Sequence, residues 1–200
     1  MSDTATAQPT TEIGEETIRA AFSGDSAAFE RIVARYQLPV YHLCVRYVGE
    51  GADAEDMAQE TFIKAFLNRT KFDAGRPLLP WLLTIARRLC IDRLRKVKRA
   101  NVTSSETDVL MSEEKGAEEL VADKESVSII SAALETLSEG QRETVMLYHV
   151  DGLQYKDIAT VLDVPMGTVM TWLHRGRSKL QKWYLARVGA GARAANGVEA

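Results

Sequence analysis

Apolar residues in the first half of the chain recur at intervals of three and four. Phe22, Phe29, Ile32, Val33, Tyr36, Val40, Leu43, Cys44 and Tyr47 form such a run, and Gly49-Glu50-Gly51 stops it. A second helix is expected from near Asp53 to near Asn68, and a Gly75-Arg76-Pro77 loop follows. A third helix is expected from about Trp81 to Lys98. No stretch alternates as a strand would. The helical pattern resumes at about Ser126. Within it, Gln154 to Lys182 reads QYKDIATVLDVPMGTVMTWLHRGRSKLQK, two short helices hinged on Asp163 to Pro165. Ile158, Leu162, Val164, Val169 and Leu173 fall where a helix-turn-helix buries apolar side chains, and Ala159 falls where its helices cross closely. Thr168 is placed to cap the second of them. The pattern predicts an all-α chain of two small helical domains. A disordered leader covers residues 1–14, a first domain 15–98, a flexible linker 99–125, a helix-turn-helix domain 126–188 and a frayed tail 189–200.

Composition sharpens this division. The chain has 200 residues, of which 46% are hydrophobic, enough for a core in each domain. A net charge of -3 argues against a protein that coats nucleic acid unaided. From Val164 to Val198, however, six Lys or Arg residues stand with no acid among them, so the basic charge is local and suits a DNA reader helped by a partner. The linker is the reverse, with eight acids against two lysines between Ser104 and Glu125. Cys44 and Cys90 lie within apolar helical patterns and are expected to be buried reduced thiols. His42, His149 and His174 share no ligand spacing with them or with one another, so neither a metal nor another cofactor is expected. No apolar run reaches membrane-spanning length, and Met1 to Thr11 has neither the basic start nor the apolar stretch of a signal peptide. A cytoplasmic protein without stable membrane insertion is the expectation.

Two segments of the first domain carry candidate chemistry. In DAEDMAQETFIKAF, Asp53 to Phe66, Asp53 is a plausible N-cap, and Glu55 and Asp56 lie in the first turn. Asp53, Asp56, Gln59 and Glu60 share a polar face, while Met57, Phe62, Ile63, Phe66 and Leu67 supply apolar contacts. A solvated helix start explains the acids; docking onto a basic partner explains the whole face. Carboxylates on one exposed helix face do not converge on a metal without ligands from elsewhere. In FDAGRPLLPWLLTIARRLCIDRLRKVKR, Phe72 to Arg99, Arg87, Arg88, Arg95 and Lys98 are spaced so that several share a helix side, while Leu82, Ile85, Ala86, Leu89 and Leu94 fill the other. Phe72 and Trp81 bracket the preceding loop. They either plug the core or offer surfaces on which unpaired bases stack.

These segments, in this order and followed after a linker by LSEGQRETVMLYHVDGLQYKDIATVLDVPMGTVMTWLHRGRSKL, resemble the two modules of the extracytoplasmic-function group of bacterial sigma factors, from about Ala21 to Leu185. The resemblance implies a non-catalytic initiation factor whose partners are core RNA polymerase, through its β′ and β subunits, and promoter DNA, both duplex and single-stranded. An anti-sigma protein is a further implied partner. Asp53, Asp56, Gln59, Glu60 and Ile63 would contact core polymerase, the acids gripping the β′ coiled coil. Phe72, Arg76, Trp81, Arg87, Arg88, Arg95 and Lys96 would hold the unpaired minus-ten element. Tyr155, Thr168, Thr171, Trp172, His174, Arg175, Arg177 and Lys179 would engage the minus-thirty-five duplex. Of these, Thr168, Thr171, His174 and Arg175 would face the major groove, and Thr144, Tyr155, Arg177 and Lys179 the phosphates. The acidic linker, with Glu113, Glu114, Glu118 and Glu119, would thread a polymerase channel. Arg88, Asp163, Met170, Trp172 and Gly176 depart from residue types common in the group, which bears on base preference and, at Gly176, on helix stability. Two rival readings remain open: a dimeric helix-turn-helix regulator acting on duplex operators, and a nucleic-acid-processing enzyme using the carboxylates near Asp53.

Overall fold

Ser23-Gly24-Asp25 splits the first apolar run, which the periodicity reads as continuous. Gly24 adopts a φ of 111°, and Asp25 caps the following helix by accepting the Ala28 amide at 3.1 Å. The computed structural model describes residues 13–103 and 124–195, and among them every regular element is helical. The chain divides into two units, Met1–Ser112 and Glu113–Ala200. The first holds α1 (Glu15–Phe22), α2 (Ser26–Val48), α3 (Ala52–Leu67), a 3-10 turn at Arg69–Lys71 and α4 (Leu78–Thr103). The second holds α5 (Lys124–Glu135), α6 (Glu139–His149), α7 (Tyr155–Leu162) and α8 (Met166–Ala195). The leader over 1–12, the acidic stretch over 104–123 and residues 196–200 lie outside the described residues.

In the first unit α2 packs against α1, α3 and α4 and buries Ile32, Tyr36, Val40, Leu43 and Cys44. α4 contributes Leu78, Leu82, Leu83, Ala86 and Cys90 at near-helical repeats. Cys44 and Cys90 are free, buried thiols; their mutual hydrogen bond, then burial, holds the Cys44 thiol far above the usual range. The buried face of α3 differs from the expected one. It is Ala54, Ala58, Thr61, Phe62 and Ala65, whereas Ile63 and Leu67 are exposed. Small side chains let α3 lie close to its neighbours, so its larger aliphatic residues face outward. α3 also starts one residue earlier than expected. Gly51 is its N-cap, so Asp53 lies in the first turn and is not the cap. α4 starts at Leu78, before Trp81, with Pro80 in a first turn that needs no amide from it, and it runs on to Thr103 through residues assigned to the linker.

The second unit closes around Leu137, Val145 and Leu173, with Leu134, Tyr148, Tyr155 and Leu180 packed against them. Asp163 ends α7 in the left-handed conformation, φ 57° and ψ 50°, as the hinge requires. Ile158, Leu162, Val169 and Leu173 are buried as expected, but Val164 and Ala159 are only half-buried. α8 begins at Met166 with Pro165 before it, so Thr168 sits in the first turn and does not cap it. α8 also continues to Ala195, through part of the segment expected to fray.

The close crossing occurs at glycines on α6 and α8. A Cβ on Gly176 would lie 2.9 Å from Val145 Cγ2, and one on Gly140 would lie 2.8 Å from the Trp172 ring. Gly176 therefore costs its helix about 1 kcal/mol in propensity but admits α6. Gly176→Ala is expected to destabilise the second unit by about 1 kcal/mol net, because overpacking a buried Val145 outweighs the gain in propensity. Urea denaturation followed by circular dichroism checks this; a raised midpoint would contradict the crossing.

Candidate polymerase and nucleic-acid interfaces

Asp56, Gln59, Glu60 and Ile63 share one stripe of α3, at spacings of three and four, with Leu67 continuing it. Ile63 is 54% exposed and Leu67 67%, so the stripe joins apolar patches to carboxylates. Within the stripe the structure gives Glu60 an ion pair with Lys64 at 3.5 Å. A groove of about 620 Å³ runs between this stripe and α4, where Leu89, Arg93, Arg95 and Lys96 form the other wall. Asp53 continues the stripe toward the start of α3, but its side chain is engaged within the unit. Its carboxylate accepts from Arg93 Nη2 at 2.9 and 3.1 Å and from Arg93 Nε at 3.2 Å, an interhelical strut to α4.

Phe72 and Trp81 meet at 4.9 Å between ring centroids, and both rest against Phe22, at 5.6 and 6.0 Å. Each ring is half-buried, and together they close the base of the loop between them. Within that loop Asp73 Oδ1 accepts the Gly75 amide at 3.0 Å, and Arg76 lies 3.6 Å from the Asp73 carboxylate. From Trp81, the stripe Arg88, Asp92, Arg95 and Arg99 runs down α4, with Arg95 and Asp92 paired at 3.6 Å. Arg87 lies off this stripe and donates to the Tyr47 hydroxyl of α2 at 2.8 Å. Arg95 and Lys96, expected beside the unpaired strand, also wall the groove under the α3 stripe.

On α8, Thr168, Thr171, Arg175 and Lys179 recur at three and four residues and form one stripe, with His174 exposed at its edge. The Thr171 hydroxyl donates to Gly167 O at 2.8 Å, leaving its oxygen outward as an acceptor. The buried stripe, Val169, Leu173 and Gly176, lies beside it. Arg177 lies on the far flank. At 100° per residue it sits about 160° from Arg175. Its Nε donates to His149 Nε2 at 3.1 Å, and its guanidinium covers the Tyr148 ring at 4.8 Å. Two further expected contacts are packing residues: Trp172 is half-buried over Gly140, and Tyr155 stacks on Tyr148 at 5.4 Å. Thr144, expected near phosphate, is fully buried, and its hydroxyl has no hydrogen-bond partner.

Comparison with known proteins fits the two units. The Sigma-70 region 2 family matches residues 32–100, and the Sigma-70, region 4 family matches residues 128–180. The ECF RNA polymerase sigma factor SigW of Bacillus subtilis is 36% identical over 177 residues, which cover 84% of this chain and 95% of that one. The chain belongs to the ECF RNA polymerase sigma factors. The RNA polymerase sigma-H factor of Pseudomonas aeruginosa is 30% identical over 86% of this sigma factor and 94% of its own length. Among solved structures, the sigma factor RpoE of Bartonella quintana, in complex with the anti-sigma factor NepR, superposes with a TM-score of 0.65 at 26% identity, covering 78% of this chain and 96% of that one.

Sequence reasoning missed three residues of this sigma factor that shape its surfaces. Arg93 takes Asp53, Tyr47 takes Arg87, and His149 takes Arg177. Spacing alone could have turned Arg177 away from the Arg175 face, since residues two apart on a helix do not share one, but it could not name His149 as the partner. Among the described residues no group of three or more His, Cys, Asp or Glu could hold a metal, and no helix is long and apolar enough to cross a membrane.

The Arg177 contact also sets a pH dependence. Accepting from Arg177 requires His149 Nε2 to be unprotonated, and desolvation, followed by the Arg177 charge, lowers the His149 pKa below its ordinary 6.5. The unfolded chain then takes up the proton first as pH falls. Stability is full above about pH 6.5 and is lost below it, until the folded form titrates as well. A small fall in melting temperature below about pH 6.5 is expected, and it should be weaker in His149→Gln, whose amide oxygen keeps an acceptor for Arg177. Identical pH profiles for the two proteins would rule out His149 as the cause.

Proposed function

We propose that this sigma factor joins core RNA polymerase through the Asp56, Gln59, Glu60 and Ile63 stripe of α3 and captures the unpaired minus-ten strand at the Phe72–Trp81 loop. In the same reading it reads the minus-thirty-five duplex with Thr168, Thr171 and Arg175. The observation that carries this reading is the segregation of charge. An acidic, partly apolar stripe occupies the first unit, and a basic stripe on α8 occupies the second. Acids interleaved with exposed Ile63 and Leu67 suit a basic protein surface and repel DNA. Thr and Arg on one helix face suit base edges and phosphates. The chain has no catalytic role of its own in this reading. It acts in the cytoplasm, and an anti-sigma protein holds it inactive by covering these surfaces; a solved relative, RpoE, forms a complex with an anti-sigma factor.

Each unit offers few contacts, so promoter affinity arises when polymerase holds both in register. Run-off transcription with core polymerase across a genomic promoter library tests the whole. Transcripts from promoters sharing two elements are expected only when the chain is present. Absence of such transcripts, together with tight two-fold binding to duplex DNA without polymerase, would replace this reading with that of a dimeric regulator.

A further inference from the structure

Arg69 lies just beyond α3, in the 3-10 turn, and ties the end of α1 and the end of α3 to the start of the Phe72–Trp81 loop. Its Nε donates to the Phe22 carbonyl at 3.0 Å, and its Nη1 donates to the Phe66 carbonyl at 2.9 Å. Its guanidinium lies 4.4 Å over the Phe66 ring. Phe22 is the last residue of α1, and Phe66 is next to last in α3. One cation therefore caps two helix C-termini, where unpaired carbonyls carry negative partial charge. The Arg69 carbonyl in turn accepts the Phe72 amide at 3.1 Å. Phe22 is also the ring on which Phe72 and Trp81 both rest. Side chain and backbone of this one residue thus fix the Phe22 support and the start of the loop.

We propose that Arg69 is a positioning residue for capture of the unpaired promoter strand, holding the loop in its binding shape without touching a nucleotide. The proposal rests on the reading of that loop as the capture element. A loop ordered beforehand binds without an ordering cost, whereas one released from Arg69 meets that cost on each encounter with a single strand. The planar guanidinium spans two carbonyls at once. A lysine ammonium brings the charge but not the fork, so Arg69→Lys keeps only part of the effect.

The test uses holoenzyme assembled from the full chain and core polymerase. It is titrated with a short fluorescent single strand carrying the minus-ten element of a promoter found by run-off transcription. Measurements are made at a temperature where circular dichroism shows each variant fully helical. Arg69→Ala is expected to raise Kd about tenfold, with core association unchanged and the same slope of log Kd against log salt. Arg69→Lys is expected to fall between that variant and the wild type, and if the alanine variant does not fold, the lysine variant is read alone by the same criteria. An unchanged Kd would overturn the proposal and leave Arg69 a purely structural cap. A raised Kd with a salt slope shallower by about 0.7 would also overturn it, because the side chain would then contact phosphate directly. Phe72→Ala and Arg76→Ala are measured alongside. If they weaken binding and Arg69→Ala does not, the proposal alone fails; if they too leave Kd unchanged, the loop is not the capture element and both readings fail.

Discussion

Replacing Asp56 and Glu60 together with arginine is expected to weaken association with core RNA polymerase by about a thousandfold or more while leaving the fold unchanged. Both side chains lie on the outward stripe of α3, and neither belongs to the Asp53–Arg93 strut. Two reversed charges turn two attractions into repulsions against a basic surface, at several kcal/mol in all, and about 1.4 kcal/mol corresponds to each factor of ten. Size-exclusion chromatography of the mixed components reads the association, and circular dichroism reads the fold. Undiminished co-elution would remove the α3 stripe from the interface. Asp53→Ala should behave differently. Its main contact is within the chain, so its loss should register in stability at least as much as in association.

Arg175→Ala is expected to weaken holoenzyme binding at one position of the minus-thirty-five element by about 1 to 3 kcal/mol and to relax base preference there. Arg177→Ala should leave base preference intact at every position. Both arginines are exposed, so exposure does not separate them. Direction does: Arg175 lies on the stripe of Thr168 and Thr171, and Arg177 is turned to His149 and Tyr148. Binding measured across a set of single-base promoter variants distinguishes the two. If Arg177 altered preference and Arg175 did not, α8 would meet DNA on the opposite flank from the one assigned.

The helical class and the two-unit order were legible because long apolar periodicities and the Asp163-Val164-Pro165 hinge are local signals. So were the outward stripes of α3 at Asp56, Gln59 and Glu60 and of α8 at Thr168, Thr171 and Arg175, since a helix stripe follows directly from spacing. Long-range pairing was not legible. Nothing local in the sequence connects Asp53 to Arg93 or Arg69 to Phe22, separated by 40 and 47 residues. Size was misread as well. Counting large aliphatic residues put Ile63 and Leu67 in the apolar contacts of α3, whereas three alanines, a threonine and Phe62 fill its inner face. Gly176, which looked like a weakness in its helix, is required by the approach of Val145. Trp172 and Tyr155 were assigned to DNA because of their position in the motif, but both are spent largely on packing.

The inner face of α3 bears on how the outer face can change. Beside the Phe62 ring, the small side chains of Ala54, Ala58, Thr61 and Ala65 set the height of that helix above its neighbours. An enlargement at any of them lifts the backbone, and Asp56, Gln59, Glu60 and Ile63 move outward as a rigid row. A substitution invisible from outside can thus detune every outward contact at once, whereas a surface substitution alters one at a time. Partner strength can therefore be altered by two separate routes on this helix, one graded and one concerted.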